Sequence, residues 1–350
     1  MRVFLVGVRV PPSASCPLLL SAVSHALIFM KITTRLGGGK SGDPSLYIDL
    51  VDRKRALLFD CGLNYFRHAQ LRKVSDVFIS HTHIDHFIGF DTLLRLNLAE
   101  DKRIDVYGPP GITQNVIGKL RAYTWNICQN LRLIIAVHEV LPEHILLTEL
   151  KSWRAFAATP PSERLHSDLL LDEPDFSVRY LELDHKTPSF AYSFREADSY
   201  NVRKEAMQAM GLQAGRWVAE LKEAAFQEKR TGRVLKIGET VYQVDELMET
   251  LLVRKRGCKI TYLTDFFYDD TRLDEIRNFA WDSDLLYCEA AFSEAEREKA
   301  EFTCHLTAGE AGKLASLAEA KRLILFHFSK RYQDYSLLIN EARKEFPAVE

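Results

Sequence analysis

The chain has only six cysteines in 350 residues, at positions 16, 61, 128, 258, 288 and 304, and none of them forms a Cys-x-x-Cys pair. That spacing argues against both a disulfide framework and a thiolate zinc knuckle, and a reducing cytoplasm is the expected setting. No run of eighteen apolar residues occurs, which excludes a membrane-spanning helix. Net charge is also lacking: 46 Lys and Arg against 48 Asp and Glu leave a formal −2. No global basic field is therefore available to gather nucleic acid or lipid, and an anionic substrate must be drawn by a local patch or a metal. Residues 1–29 lack the unbroken apolar core of a secretory signal, being interrupted by Pro11, Pro12 and His25. They are read as a non-structural extension before Met30, such as a start codon assigned too early would produce.

What is present is ordinary globular material, 47 % apolar and 27 % charged, enough for one large domain or two modest ones. From Met30 onward, short apolar strands alternate with helices. "SLYID", "RALLFD", "DVFIS", "RIDVYG", "SVRYLELDH", "FAYSF", "KITYLTD", "DLLYCEA" and "RLILFHFS" read as strands. "DTLLRLNLA", "TQNVIGKLRAYTW" and "TAGEAGKLASLAEA" carry helical spacing. The alternation predicts a layered α/β domain. Residues 198–258 differ, being helix-rich and polar, with Trp217, Val218, Leu221 and Ala225 on one helical face. Residues 203–259 hold twelve Lys or Arg against eight Asp or Glu. The stretch reads as an insertion projecting from the core; by charge alone it is equally a solvated helical excursion.

The segment "SHTHIDHFIGFD", residues 80–91, concentrates His81, His83, Asp85 and His86 directly after an apolar strand. His81 and His83 alternate in extended geometry and can point to one side, whereas Asp85 and His86 follow the bend and can face a second ion. Imidazole and carboxylate together suit Zn²⁺, Mn²⁺ or Fe. Later strand ends supply His185, Asp265 and His327. Each alone reads as a satisfied core residue. With the first segment they read as ligands, because a layered α/β fold brings strand ends to one edge. "GGGKS" is not a phosphate-binding P-loop, since Thr34 stands where that loop needs glycine and two strands flank it. It is read as a flexible loop beside the site.

"HTHIDH", with "LLFDCG" ahead of it, resembles the metallo-β-lactamase superfamily. "CEAAF" and "HLTAGEAGKLASLAEAKRLILFHFSKRY" are similar to the closing block of the ribonuclease Z family, endonucleases that trim tRNA 3′ ends. "AMGLQAGRWVAELKEAAF" with "RVLKIG" loosely resembles that family's substrate-clamping arm, and the likeness runs from about Met30 to Tyr332. The resemblance implies an α/β fold, a four-layer αββα sandwich, over residues 30–350 with an inserted arm at about 198–258. It implies two divalent ions, Zn²⁺ with Mn²⁺ or Fe as alternatives. His81, His83 and His185 would hold one, Asp85, His86 and His327 the other, with Asp265 bridging and Asp60 supporting from behind. Asp85 would orient the attacking water and take its proton, and Glu289 with His305 would assist departure of the leaving oxygen. Ser329 reads either as a phosphate contact or as a bland strand-end hydroxyl. The implied substrate is a tRNA precursor, and the implied assembly a homodimer. The chain departs from the family pattern in three places. Cys288-Glu289-Ala290-Ala291 replaces His-Glu-Ala-Thr, "GGGKSGDPS" replaces Pro-Thr-x-Arg-Asn, and the arm lacks a Gly-Pro pair. Two other readings remain: a hydrolase of a small ester, lactone or cyclic nucleotide, and a metal-stabilised binding protein.

Overall fold

Strand alternation decides which way each core residue faces. In the strands Leu46–Leu50 and Arg55–Phe59, Tyr47, Ala56 and Leu58 join one buried cluster, while Leu46, Ile48, Leu57 and Phe59 join another. A strand buried on both faces needs layers on both sides. In the computed structural model, which describes residues 31–226 and 232–350, those layers are present. The expectation for residues 1–29 lies outside the described residues.

An eight-stranded sheet runs, in spatial order, Ile32–Leu36, Leu46–Leu50, Arg55–Phe59, Val74–Phe78, Arg103–Gly108, Ile134–Val140, His144–Lys151 and Ser162–Leu165. A six-stranded sheet runs Leu323–Phe326, Leu285–Glu289, Lys259–Leu263, Pro188–Glu196, Phe176–Asp184 and Leu169–Glu173. The sheets meet through an aromatic layer, with Phe59, Phe78 and Tyr107 from the first against Tyr192, Tyr262 and Phe326 from the second. The helices Phe90–Asn97 and Ile112–Arg121 cover the outer face of the first sheet, and Ala308–Leu317 and Ser336–Glu345 that of the second. This is a four-layer αββα sandwich of the metallo-β-lactamase type.

Residues 202–253 form a separate compact unit. Its described part comprises the helices Lys204–Ala209, Arg216–Ala225 and Val244–Leu251 with the hairpin Val234–Ile237 and Thr240–Gln243. Trp217, Leu221, Leu235, Val244, Leu247 and Leu251 are among its buried apolar residues. Among the described residues, no helix is long and apolar enough to cross a membrane.

Candidate metal centre

The strand Val74–Phe78 delivers the chain to Ser80 and His81, after which a short helix, Ile84–Phe87, carries Asp85 and His86. The segment "FDCG" clamps that helix in place. Cys61 N donates to His86 O at 2.8 Å, and Gly89 N donates to Cys61 O at 2.7 Å. A Cβ on Gly62 would lie 2.2 Å from the Asp85 carbonyl oxygen, so only glycine permits the approach.

Asp60 organises the floor. Fully buried, it accepts hydrogen bonds from Ser80 N (2.7 Å), Ser80 Oγ (2.9 Å) and Tyr262 Oη (2.9 Å), and its Oδ2 lies 2.8 Å from His86 Nδ1. A carboxylate there favours the Nδ1–H tautomer of His86 and frees Nε2 as a lone-pair donor. His185 sits at the tip of the hairpin that pairs Asp184 with Pro188, and its Nδ1 donates to the Cys304 carbonyl at 2.8 Å. Its Nε2 is thereby turned toward Asp265 Oδ2, 3.6 Å away. Asp60, Asp265, Cys304 and His327 all have positive φ, between 44° and 57° for the aspartates and 55° and 59° for the others. Left-handed backbone is costly for such residues and gathers where side chains must be aimed at a site.

The structure brings together all seven residues singled out by the sequence as metal ligands. One ligand atom each from His81, His83, His185 and Asp265 lie within 4.8 Å of one another, as do those of Asp85, His86 and His327. Asp265 is shared between the groups: Oδ2 is 3.7 Å from His81 Nε2 and 3.2 Å from His86 Nε2, and Oδ1 is 3.3 Å from His327 Nε2. The donor set passes a direct test of fit. Nε2 of His81 and of His86 are buried without a hydrogen-bond partner. Such orphaned ring nitrogens are expensive, and a divalent cation would satisfy both. Burial, aided by His86, lowers His81 to about 2, and burial likewise lowers His83. Both are then neutral, the form that ligates. Burial opposes charge on Asp265, but His327 and His86 hold it well below the usual carboxylate range.

Glu289 and His305 stand beside this cluster. Glu289 is fully buried at the end of the strand Leu285–Glu289; Oε1 accepts from Phe266 N at 3.1 Å, and Oε2 lies 2.7 Å from His305 Nδ1. Burial works against the imidazolium, yet Glu289 outweighs it and raises His305 to about 9. His305 also groups with Asp265 and His327, a proximity the sequence did not suggest. A cavity of about 220 Å³ opens onto Asp85, His305 and His327 and is walled by Ser41, Gly42, Asp43, Phe292 and Ser329. The "GGGKS" loop thus contributes wall. Ser329 Oγ accepts from Arg331 Nε at 3.1 Å. Sequence reasoning missed Ser80 and Tyr262, which bind Asp60. Ser80 lay inside the quoted motif, but nothing local signals Tyr262.

The beta-lactamase superfamily domain model matches residues 55–142, which include Asp60 and the segment His81–His86. Ribonuclease Z of Acaryochloris marina is 30 % identical over 324 residues, spanning 87 % of this chain and 88 % of the relative. Ribonuclease Z of Deinococcus radiodurans is 29 % identical over 321 residues, spanning 89 % and 95 %. The crystal structure of human tRNase Z, short form, matches with a TM-score of 0.51 at 22 % identity, over 86 % of this chain and 93 % of that one, a likeness of fold. Near-complete coverage of both chains, with the histidine–aspartate cluster assembled at one sheet edge, makes the conclusion direct: the chain belongs to the ribonuclease Z family and is a metal-dependent hydrolase of the β-lactamase superfamily.

Proposed function

We propose that the protein is an endoribonuclease that trims the 3′ end of tRNA precursors, using two divalent ions, with zinc as the native metal. The observation that carries this reading is the Glu289–His305 pair beside the ligand cluster and on the wall of the cavity that Asp85 also lines. Acyl chemistry on an ester or lactone does not require a proton donor for a ribose leaving group, whereas phosphodiester cleavage does.

In this reading His81, His83 and His185 would hold one ion and Asp85, His86 and His327 the other, with Asp265 available to both. When bound, the ions would supply Lewis acidity, acidifying water and neutralising charge on the phosphodiester. The chain's own groups do the rest. Asp85 orients the attacking water and accepts its proton. As the new phosphorus–oxygen bond forms, the bond to the ribose oxygen breaks, and His305 gives that oxygen its proton. Glu289, through Nδ1, keeps the other ring nitrogen of His305 aimed into the cavity. Asp60 and the Cys304 carbonyl fix the His86 and His185 rings. Residues 30–350 are read as one hydrolase domain, residues 198–258 as an arm that grips tRNA away from the scissile bond, and the assembly as a cytoplasmic homodimer. Purified protein should cleave both a 3′-extended tRNA precursor and a simple aryl phosphodiester, and lose both activities to a chelator. Cleavage of the aryl diester without binding or cleavage of the precursor would instead favour a small-molecule hydrolase.

A further inference from the structure

Phe302 is a large aromatic side chain left 75 % exposed at the end of the short helix Arg297–Thr303. A single exposed ring is unremarkable by itself, but this one is fastened to the site by its neighbours. Its carbonyl accepts a hydrogen bond from Lys186 Nζ at 2.6 Å, and the same ammonium lies 4.8 Å from the ring centroid. Lys186 directly follows His185, whose Nδ1 is held by the carbonyl of Cys304, two residues beyond Phe302. His305 is the next residue. The turn at 302–305 therefore carries an exposed aromatic face and His305, and the hairpin tip at 185–186 brings a cation beside them. Three residues span about 10 Å at most, close enough for a sugar held at His305 to lay its own base on the ring.

We propose that Phe302, with Lys186 beside it, is the stacking platform for the base of the nucleotide that carries the departing ribose oxygen, with Lys186 meeting that nucleotide's phosphate. The inference rests on the ribonuclease reading above. The side is chosen by chemistry: His305 protonates the leaving oxygen, so the ribose bearing that oxygen, and its base, lie at His305. Every base has a π-face, so the platform accepts any sequence, but it requires a base free of a duplex stack. The residue thus selects for an unpaired nucleotide at the cut.

The test is a cycle between Phe302→Ala or Phe302→Trp and an RNA whose leaving nucleotide is normal or abasic, with an aryl phosphodiester as reference. Loss of one stacked base corresponds to roughly 5- to 150-fold. The ratio of RNA to aryl-diester kcat/KM should fall by that factor in Phe302→Ala, mainly through KM, and recover in Phe302→Trp. The abasic RNA should lose as much with the unaltered enzyme and nothing further with Phe302→Ala, while Lys186→Gln should flatten the salt dependence of RNA cleavage. An unchanged ratio in Phe302→Ala, or a further loss on abasic RNA, overturns the platform while leaving the ribonuclease reading intact. An unaltered enzyme that cleaves only the aryl diester overturns both.

Discussion

Asp60 is fully buried and reaches no substrate, yet its replacement should be among the most damaging in the chain. Four buried donor groups converge on its carboxylate: Ser80 N, Ser80 Oγ, His86 Nδ1 and Tyr262 Oη. Leaving a buried polar group unpaired costs about 1–3 kcal/mol. Asp60→Ala does not incur that cost four times. Ser80 Oγ lies 3.0 Å from His81 Nδ1 and 3.2 Å from His86 Nδ1, so it can turn to a ring nitrogen and re-pair part of the set. A net loss of about 3–5 kcal/mol follows, at the upper end for single substitutions. Asp60→Asn is the more informative variant. It keeps the volume and one acceptor, but presents an amide donor to groups that are themselves donors, for a loss of about 1–3 kcal/mol. It also frees His86 from the carboxylate that sets its tautomer, which should weaken metal retention about 10–100-fold. Urea unfolding and metal content under a series of competing chelators measure the two effects separately. Wild-type metal retention by Asp60→Asn would refute the claim that Asp60 orients His86 for an ion.

Elemental analysis should find close to two divalent metals per chain, because seven ligand-type residues exceed what one tetrahedral ion can use; metal-free protein with undiminished activity would contradict the mechanism. Asp85→Ala should lower kcat by roughly 10²–10⁴ with little change in RNA affinity, and near-normal turnover would remove Asp85 from its role. His305→Ala should lose RNA cleavage while retaining much activity on an activated aryl diester, whose leaving group needs little protonation; equal losses on both would make His305 a support of the metal cluster. Replacing residues 204–250 by a short Gly-Ser linker is geometrically simple, since Arg203 N already bonds Leu251 O at 2.8 Å. It should raise KM for tRNA and flatten its salt dependence while sparing the small diester, and normal tRNA processing would argue against a clamping arm.

Much of this was legible in the sequence because it obeys local rules. Strands buried on both faces announce themselves as apolar runs, and the ligands sit at or just past strand ends, where the fold gathers them. Legibility fails where pairing or exposure decides. The strand Ser162–Leu165 is exposed throughout and is defined by its ladder with His144–Leu147, so no apolar pattern marks it. Tyr262 reaches Asp60 across 202 residues of chain, a contact no spacing encodes. Phe302 looks in sequence like any core phenylalanine. The run Arg254, Lys255, Arg256 is the clearest case of a sequence count that misleads. It supplied much of the positive excess in residues 203–259, yet Arg254 binds Asp198 and Arg256 binds Asp282 and Asp284, carboxylates that all lie outside that window. The paired arginines have little charge left to offer a phosphate. If the insert grips RNA electrostatically, the contacts must come from cations within it, such as Arg216, whose side chain is 90 % exposed and whose pairing with Glu220 on the same helix, at 3.5 Å, is loose and solvent-facing. Arg216→Ala should then reduce the salt dependence of tRNA binding, whereas Arg254→Ala should act first on the stability of the strands that lead into the insert.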